Sequence, residues 1–276
     1  MPSSSKNPHL APKFRAESIE VIHTFIKQKM DEAKADGVLI GLSGGLDSAV
    51  VTKLCSDALG PNLVLVLIMP EASTPKEDLK DALGFATSMG VEYRTIDISE
   101  MVEGIKDLLA PQELDDKTLG NIKARCRMIM LYIHANLDNR LVMGTSNKSE
   151  LLVGYFTKFG DGGADFSPIG DLYKTQILAL AKAIDIPENI IKKPPSAGLW
   201  EGQTDENELK IKYQDLDAIL HGIELRLQAD DIASKVGIDA AEVLRIQGLV
   251  EKTVHKRKMP LIPKIGIRTL GLDWRE

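Results

Sequence analysis

Disulfide bonding has little to work with in this chain, whose 276 residues include two cysteines, Cys55 and Cys126. Both fall in helical patterns, so they are expected to be reduced core thiols, as in a cytoplasmic protein. No apolar run approaches the roughly 18 residues that a membrane span needs, which excludes a transmembrane anchor. The opening MPSSSKNPHLAPKF has no apolar stretch of the secretory kind, and residues 1–14 read as a flexible tail. Positive charge is not in excess: 34 Lys and Arg stand against 40 Asp and Glu, a net charge of −6 that argues against a nucleic-acid partner. Two phosphate-binding signatures are missing as well. There is no GxxxxGK[ST] loop and no GxGxxG fingerprint. Internal repeats and low-complexity tracts are also lacking, and the length suits a single α/β domain spanning 1–276.

What is present alternates. Residues 15–35 have Ile19, Ile22, Phe25, Ile26 and Met30 on one helical face. Val38, Leu39, Ile40 and Leu42 form a short buried-strand pattern, followed by a glycine turn and then by helix-forming AVVTKLCSDAL. LVLVLIMP (63–70) is a near-continuous apolar run, as a strand covered on both faces requires. Residues 75–89 read as helix, 91–98 as an alternating strand, 118–137 as a long helix, 140–144 as a strand, and 172–184 and 239–259 as helices. This rhythm specifies an α/β fold, a doubly wound parallel sheet with helices on both faces. Ligands bind such sheets beyond the carboxyl ends of the strands. The loops after Leu42, Met69, Ile98 and Met143 are therefore expected to line one site. Two segments, 154–170, rich in Gly and Asp, and 193–207, rich in Pro, Gly and polar residues, read as functional loops, and 160–168 and 193–207 are expected to close over bound substrates and order on binding.

The stretch GLSGGLDS (41–48) places two adjacent glycines, Gly44 and Gly45, and two serines between strand and helix. It aims bare backbone N–H groups at the positive end of a helix dipole, which suits phosphate. Asp47 adds a negative charge there. Phosphate and carboxylate repel unless a divalent cation bridges them, so the local reading is Mg²⁺-pyrophosphate, with a further positive charge supplied from elsewhere. The bland alternative is a strand–turn–helix junction with a capping serine.

SGGLDS resembles the SGGxDS turn of the N-type ATP pyrophosphatases. NIKARCRM, GTSNKSE, GYFTKFGDGGAD, PIGDLYKTQI and HKR, in that order, narrow the resemblance to the NAD synthetases over about residues 15–259. That resemblance implies an adenine-nucleotide alpha hydrolase-like, Rossmann-like fold. It also implies a ligase that joins deamido-NAD and ammonia with ATP to give NAD, AMP and pyrophosphate through an adenylate. By the same resemblance, Gly41, Leu42, Ser43, Gly44, Gly45, Leu46, Asp47 and Ser48 hold ATP phosphates, Thr145 and Ser196 contact ATP, and Lys174 supplies phosphate charge. Asp47 and Glu150 bind Mg²⁺, and Arg125, Lys158, Asp165, His255 and Lys256 bind deamido-NAD. Arg127, two residues from Arg125, is expected to face elsewhere on its helix. Asp161 is a candidate to take the proton from ammonium, or else a turn-forming aspartate. Few residues precede the first strand and neither cysteine has a nucleophile's setting, so free ammonia rather than glutamine is expected as nitrogen donor. A homodimer is also implied, and the helix 124–137, apolar nearly all round, is consistent with one. Two other functions fit the glycine turn: ATP chemistry on a different acceptor, and an adenine-nucleotide sensor without turnover.

Overall fold

The structure is a computed structural model that describes residues 10–200 and 202–269. Helix α1 (Glu17–Ala33) leads into β1 (Gly37–Gly41), then α2 (Leu46–Leu59), β2 (Val64–Ile68), α3 (Lys76–Met89), β3 (Glu92–Thr95), α4 (Ser99–Leu109), α5 (Asp116–Leu137) and β4 (Arg140–Met143). After the sheet come α6 (Lys148–Val153), α7 (Lys174–Ala183), α8 (Glu188–Ile191), α9 (Asp205–Leu209), α10 (Tyr213–Glu224), α11 (Ala229–Val236) and α12 (Ala240–Lys252).

The four described strands are parallel, in the order β3-β2-β1-β4. Leu39 pairs with Leu65 on one side and Val142 on the other. Alternate side chains of β1 and β2 enter two different cores, as the strand period of two demands. Val38, Ile40, Val64 and Val66 pack with Ile26, Leu54 and Ile177, while Leu39, Leu65 and Leu67 pack with Ile98, Val102 and Cys126. The sheet is thus doubly wound, as the sequence pattern specifies. A third core joins α9 to α12 through Leu216, Ile219, Ile232, Val243 and Ile246, and reaches the rest through Val153 and Tyr173.

Three expectations change. Strand β3 covers only part of 91–98 and lies at the sheet edge with Glu92, Tyr93 and Thr95 exposed. The chain runs outward from β1 to β3 and then returns to the other side of β1 with β4, so the switch point lies between β1 and β4. The end of β3 is two strands away, and Ile98 is buried in the core instead of lining the site. Of the tail expected over 1–14, residues 1–9 lie outside the described residues. Leu10 is buried in the third core, and the Lys13 carbonyl accepts from Gln176 at 2.9 Å. Apart from these three, the loops expected to order on substrate carry internal hydrogen bonds, such as Gly160 N to Thr157 O at 2.9 Å and Ser196 Oγ to Gln203 O at 2.7 Å.

Among the described residues, no helix is long and apolar enough to cross a membrane. Both cysteines are free and buried, and desolvation pushes the Cys55 thiol up to about 12.

Candidate active site

The glycine turn leaves β1 at Gly41 and starts α2 at Leu46. Gly44 has φ +81°, and a Cβ there would stand 2.2 Å from the Asp78 carbonyl oxygen, so only glycine fits. The two serines brace the turn. Ser43 N donates to Ser48 Oγ at 3.2 Å, Ser48 Oγ donates to Gly45 O at 3.0 Å, and Gly45 N donates to Ser43 Oγ at 3.2 Å. Leu42 and Leu46 bury their side chains and border the cavity. The first-turn N–H groups of α2 have no intrahelical partner and open onto a cavity of about 1160 Å³.

Asp47, Glu150 and Lys174 meet at the edge of this cavity, on three different helices. Lys174 Nζ lies 2.5 Å from Asp47 Oδ2 and 3.7 Å from Glu150 Oε1. Glu150 Oε2 accepts the Asn147 N–H at 3.2 Å while Asn147 Oδ1 accepts the Glu150 N–H at 3.1 Å, a capping box that opens α6. Glu150 is therefore a helix-start acid, but a buried one, with a side chain only 13% exposed. Burial and the nearby Asp47 raise its pKa well above the usual carboxylate range, with Lys174 opposing. For Lys174, burial disfavours the charge, but Asp47 and Glu150 outweigh it and the pKa rises. Asp47 Oδ1 is buried and has no hydrogen-bond partner. An orphaned carboxylate oxygen beside a second carboxylate suits a hard, oxygen-seeking cation, so the donor set fits Mg²⁺. No cluster of three or more His, Cys, Asp or Glu that could hold a metal occurs among the described residues.

Of the remaining residues singled out above, Thr145, Ser196, Asp161, His255 and Lys256 border the cavity. Asp161 Oδ1 accepts the Thr157 N–H at 2.8 Å, the bonding of a turn-forming aspartate. Desolvation by the surrounding protein raises its pKa, while its exposed surface faces the cavity. Lys256 donates to the Gly154 and Phe156 carbonyls at 2.7 Å each and so anchors that loop.

Arg125, Lys158 and Asp165 lie outside the cavity. Arg125 is exposed and reaches the Lys158 carbonyl at 3.4 Å. Lys158 donates to the His255 carbonyl at 2.8 Å beside a smaller pocket. Asp165 accepts from Val142 N at 2.8 Å and from Tyr132 OH at 3.1 Å.

Arg127 faces elsewhere on α5 than Arg125, as expected, but the face it takes is the one toward the cavity. It borders the cavity, and its Nε donates to the Met69 carbonyl at 3.1 Å. The helical period explains the exchange. Arg127 follows buried Lys123 and Ala124 by four and three positions, whereas Arg125 shares a stripe with exposed Ile129 and Ile133.

Lys193 also escaped the sequence reading. Its Nζ donates to the Gly44 carbonyl at 3.0 Å and pairs with Asp78 at 2.9 Å and Asp81 at 2.5 Å, so a second lysine stands beside the glycine turn. Asp205, 3% exposed, accepts from Tyr213 OH at 2.9 Å on the opposite wall. Neither position belongs to a motif with a mechanism of its own. Only the neighbouring KKPP and TDEN loop composition pointed there.

The family model described as NAD synthase matches residues 18–260. Among curated relatives, the NH3-dependent NAD+ synthetase of Pyrococcus horikoshii is 49% identical over 254 residues, covering 92% of this chain and 96% of the relative. Among solved structures, NMN synthetase from Francisella tularensis superposes with a TM-score of 0.81 at 36% identity, over 92% of this chain and 100% of the other. NH3-dependent NAD synthetase from Campylobacter jejuni, solved with nitrate, has a TM-score of 0.76 at 35% identity, over 90% and 98% of the two chains. With the glycine turn, the two carboxylates and Lys174 gathered at the switch point of the sheet, the chain belongs to the NAD synthase family.

Proposed function

We propose that this chain is an ammonia-using ligase that converts deamido-NAD, ATP and ammonia to NAD, AMP and pyrophosphate. The observation that carries this reading is the meeting of the glycine turn, Asp47, Glu150 and Lys174 at one end of the cavity. The turn and the α2 N-terminus hold the β- and γ-phosphates by backbone N–H groups. Asp47 and Glu150 would hold Mg²⁺, which would supply charge neutralisation for the departing pyrophosphate. Lys174 supplies positive charge to the phosphates, and Lys193, beside the turn, and Arg127, on the cavity, add to it. The nicotinate carboxylate attacks the α-phosphate, and ammonia then displaces AMP from the acyl carbon. The chain's contribution is mainly positioning and charge. Thr145 contacts the adenosine and Ser196 contacts ATP. Asp161 borders the cavity, where its carboxylate can take a proton from ammonium.

The reading extends to a homodimer in the cytoplasm. Ile129, Ile133 and Leu137 form an exposed apolar stripe on α5, next to Arg125. A second copy covering that stripe would complete the binding surface of Arg125, Lys158 and Asp165 for the far half of the dinucleotide. His255, which borders both the cavity and the smaller pocket beside Lys158, and Lys256, which borders the cavity, would join that surface to it.

A second acceptor deserves a direct comparison, because a protein named NMN synthetase superposes closely on this chain. The test supplies ATP, Mg²⁺ and ammonium with either deamido-NAD or nicotinic acid mononucleotide, and follows AMP, pyrophosphate and the amide product. AMP and pyrophosphate formed with deamido-NAD, and NAD appearing in step, is the expected result. Preference for the mononucleotide would change the substrate, and ADP with phosphate would rule out attack at the α-phosphate. Glutamine in ammonia-free buffer should give no NAD. A monomeric mass at full activity in light scattering would remove the dimer.

A further inference from the structure

A buried ion-paired cluster lies behind the cavity wall. Lys123 on α5 is 5% exposed, and its Nζ donates to Glu71 Oε1 at 2.7 Å, Ser73 Oγ at 3.0 Å and the Leu199 carbonyl at 2.8 Å. An ammonium has three protons, and these three acceptors use them all. Ser73 also donates to Glu71, closing the cluster. None of Lys123, Glu71 and Ser73 borders the cavity, whereas Leu199, Trp200 and Gln203 do. Gly120 lies almost one turn earlier on α5, where an added Cβ would stand 3.1 Å from Leu199 Cδ1 and 3.3 Å from Trp200 Cζ3. The loop is therefore seated directly on the helix backbone. From its other side, Leu199 N donates to Gln203 Oε1 at 2.8 Å.

An apolar contact would dock this loop with less desolvation than a buried ammonium and carboxylate. A cation held on one main-chain carbonyl adds a fixed register to the contact. The carbonyl belongs to the residue that, with Trp200, forms the wall facing the glycine turn's cavity.

We propose that Lys123 is a positioning residue: through the Leu199 carbonyl it seats the cavity wall on α5, so that the acyl adenylate meets ammonia and not water. The inference rests on the function proposed above. When the wall lifts, water adds to the acyl carbon and the bond to AMP breaks. Deamido-NAD and AMP leave, so ATP is consumed to AMP and pyrophosphate with no NAD made.

Two variants test it. Lys123→Met combined with Glu71→Gln removes the ion pair without leaving a buried charge alone. Gly120→Val pushes the loop, with its Leu199 carbonyl, off the helix while both members of the Lys123–Glu71 pair stay in place. Each is compared with the wild type in AMP formed per NAD and in chymotrypsin cleavage after Leu199 or Trp200. The wild type should release one AMP per NAD. Both variants should release several, and their cleavage should quicken by about tenfold as the open population grows. A fall in melting temperature, with both readouts at the wild-type level, would leave Lys123 a structural residue and overturn the proposal. If the wild type makes no NAD from deamido-NAD, the function reading fails, and the cleavage rates alone still decide the latch.

Discussion

Val38, Leu39 and Ile40 run up the middle of the sheet with no exposed surface, each paired on both sides and packed against helices. A few residues further on, the same chain carries Asp47, whose Oδ1 has no partner, next to a buried Glu150 whose pKa that neighbour helps to raise. The first region satisfies every local preference, whereas the second gathers like charges where water is scarce. Such a centre persists because the sheet, the glycine turn and the α6 capping box over-determine its geometry. The sheet holds the fold, and the polar centre opposes it in exchange for binding highly charged substrates.

The difference can be broken from either side. Leu65→Ala, in the fully buried centre of β2, should lower unfolding free energy by about 2–5 kcal/mol. Its urea midpoint should fall while kcat of the folded enzyme stays at the wild-type level; a parallel loss of kcat would deny the division between scaffold and centre. Asp47→Asn should do the reverse, cutting turnover at least about a hundredfold, roughly 2.7 kcal/mol of barrier, with the melting temperature little changed. Wild-type kcat at saturating Mg²⁺ would remove Asp47 from the centre.

Glu150→Gln sharpens the contrast through pH. A carboxyl whose folded pKa is raised binds its proton more tightly in the folded state than in the unfolded one. Its stabilising contribution is complete below the unfolded value of about 4.3 and is lost as pH rises through the raised folded value. The Gln variant escapes that loss. It should therefore be inactive yet melt at or above the wild-type temperature at neutral pH, with the gap closing as pH falls from the raised folded value to about 4.3. A variant that melts lower at neutral pH would mean that the ionised Glu150 stabilises the fold. The smallest effect belongs to Asp161→Asn, which should alter how the rate depends on ammonium between about pH 7 and pH 9. An unchanged dependence would leave Asp161 its turn-forming bond to Thr157 alone.

Much of this was legible because it is local. The apolar run at 63–70, the glycine turn at 41–48 and the long helix at 118–137 each follow from a few neighbouring residues. Arg127 and Lys193 were missed for the opposite reason. Which side of α5 faces the site depends on how that helix lies over Leu39 and Leu65, and Lys193 reaches Gly44 from a loop distant in sequence. The helices α9 to α11 were also passed over, since their short amphipathic segments are interrupted by polar turns and gain their shared core only by packing together.

By itself, the sequence determined the alternation of strands and helices, the glycine turn between the first strand and its helix, and the residue types beside it. Periodicity and backbone preference act over a few residues, which is why these were readable. The tertiary structure decided which ends of which strands share the cavity, that Lys174 bridges two carboxylates on other helices, and that Lys123 holds the far wall from behind. Those contacts join positions widely separated along the chain. Their energies depend on burial and on distance in space, and no local pattern in the sequence carries either quantity.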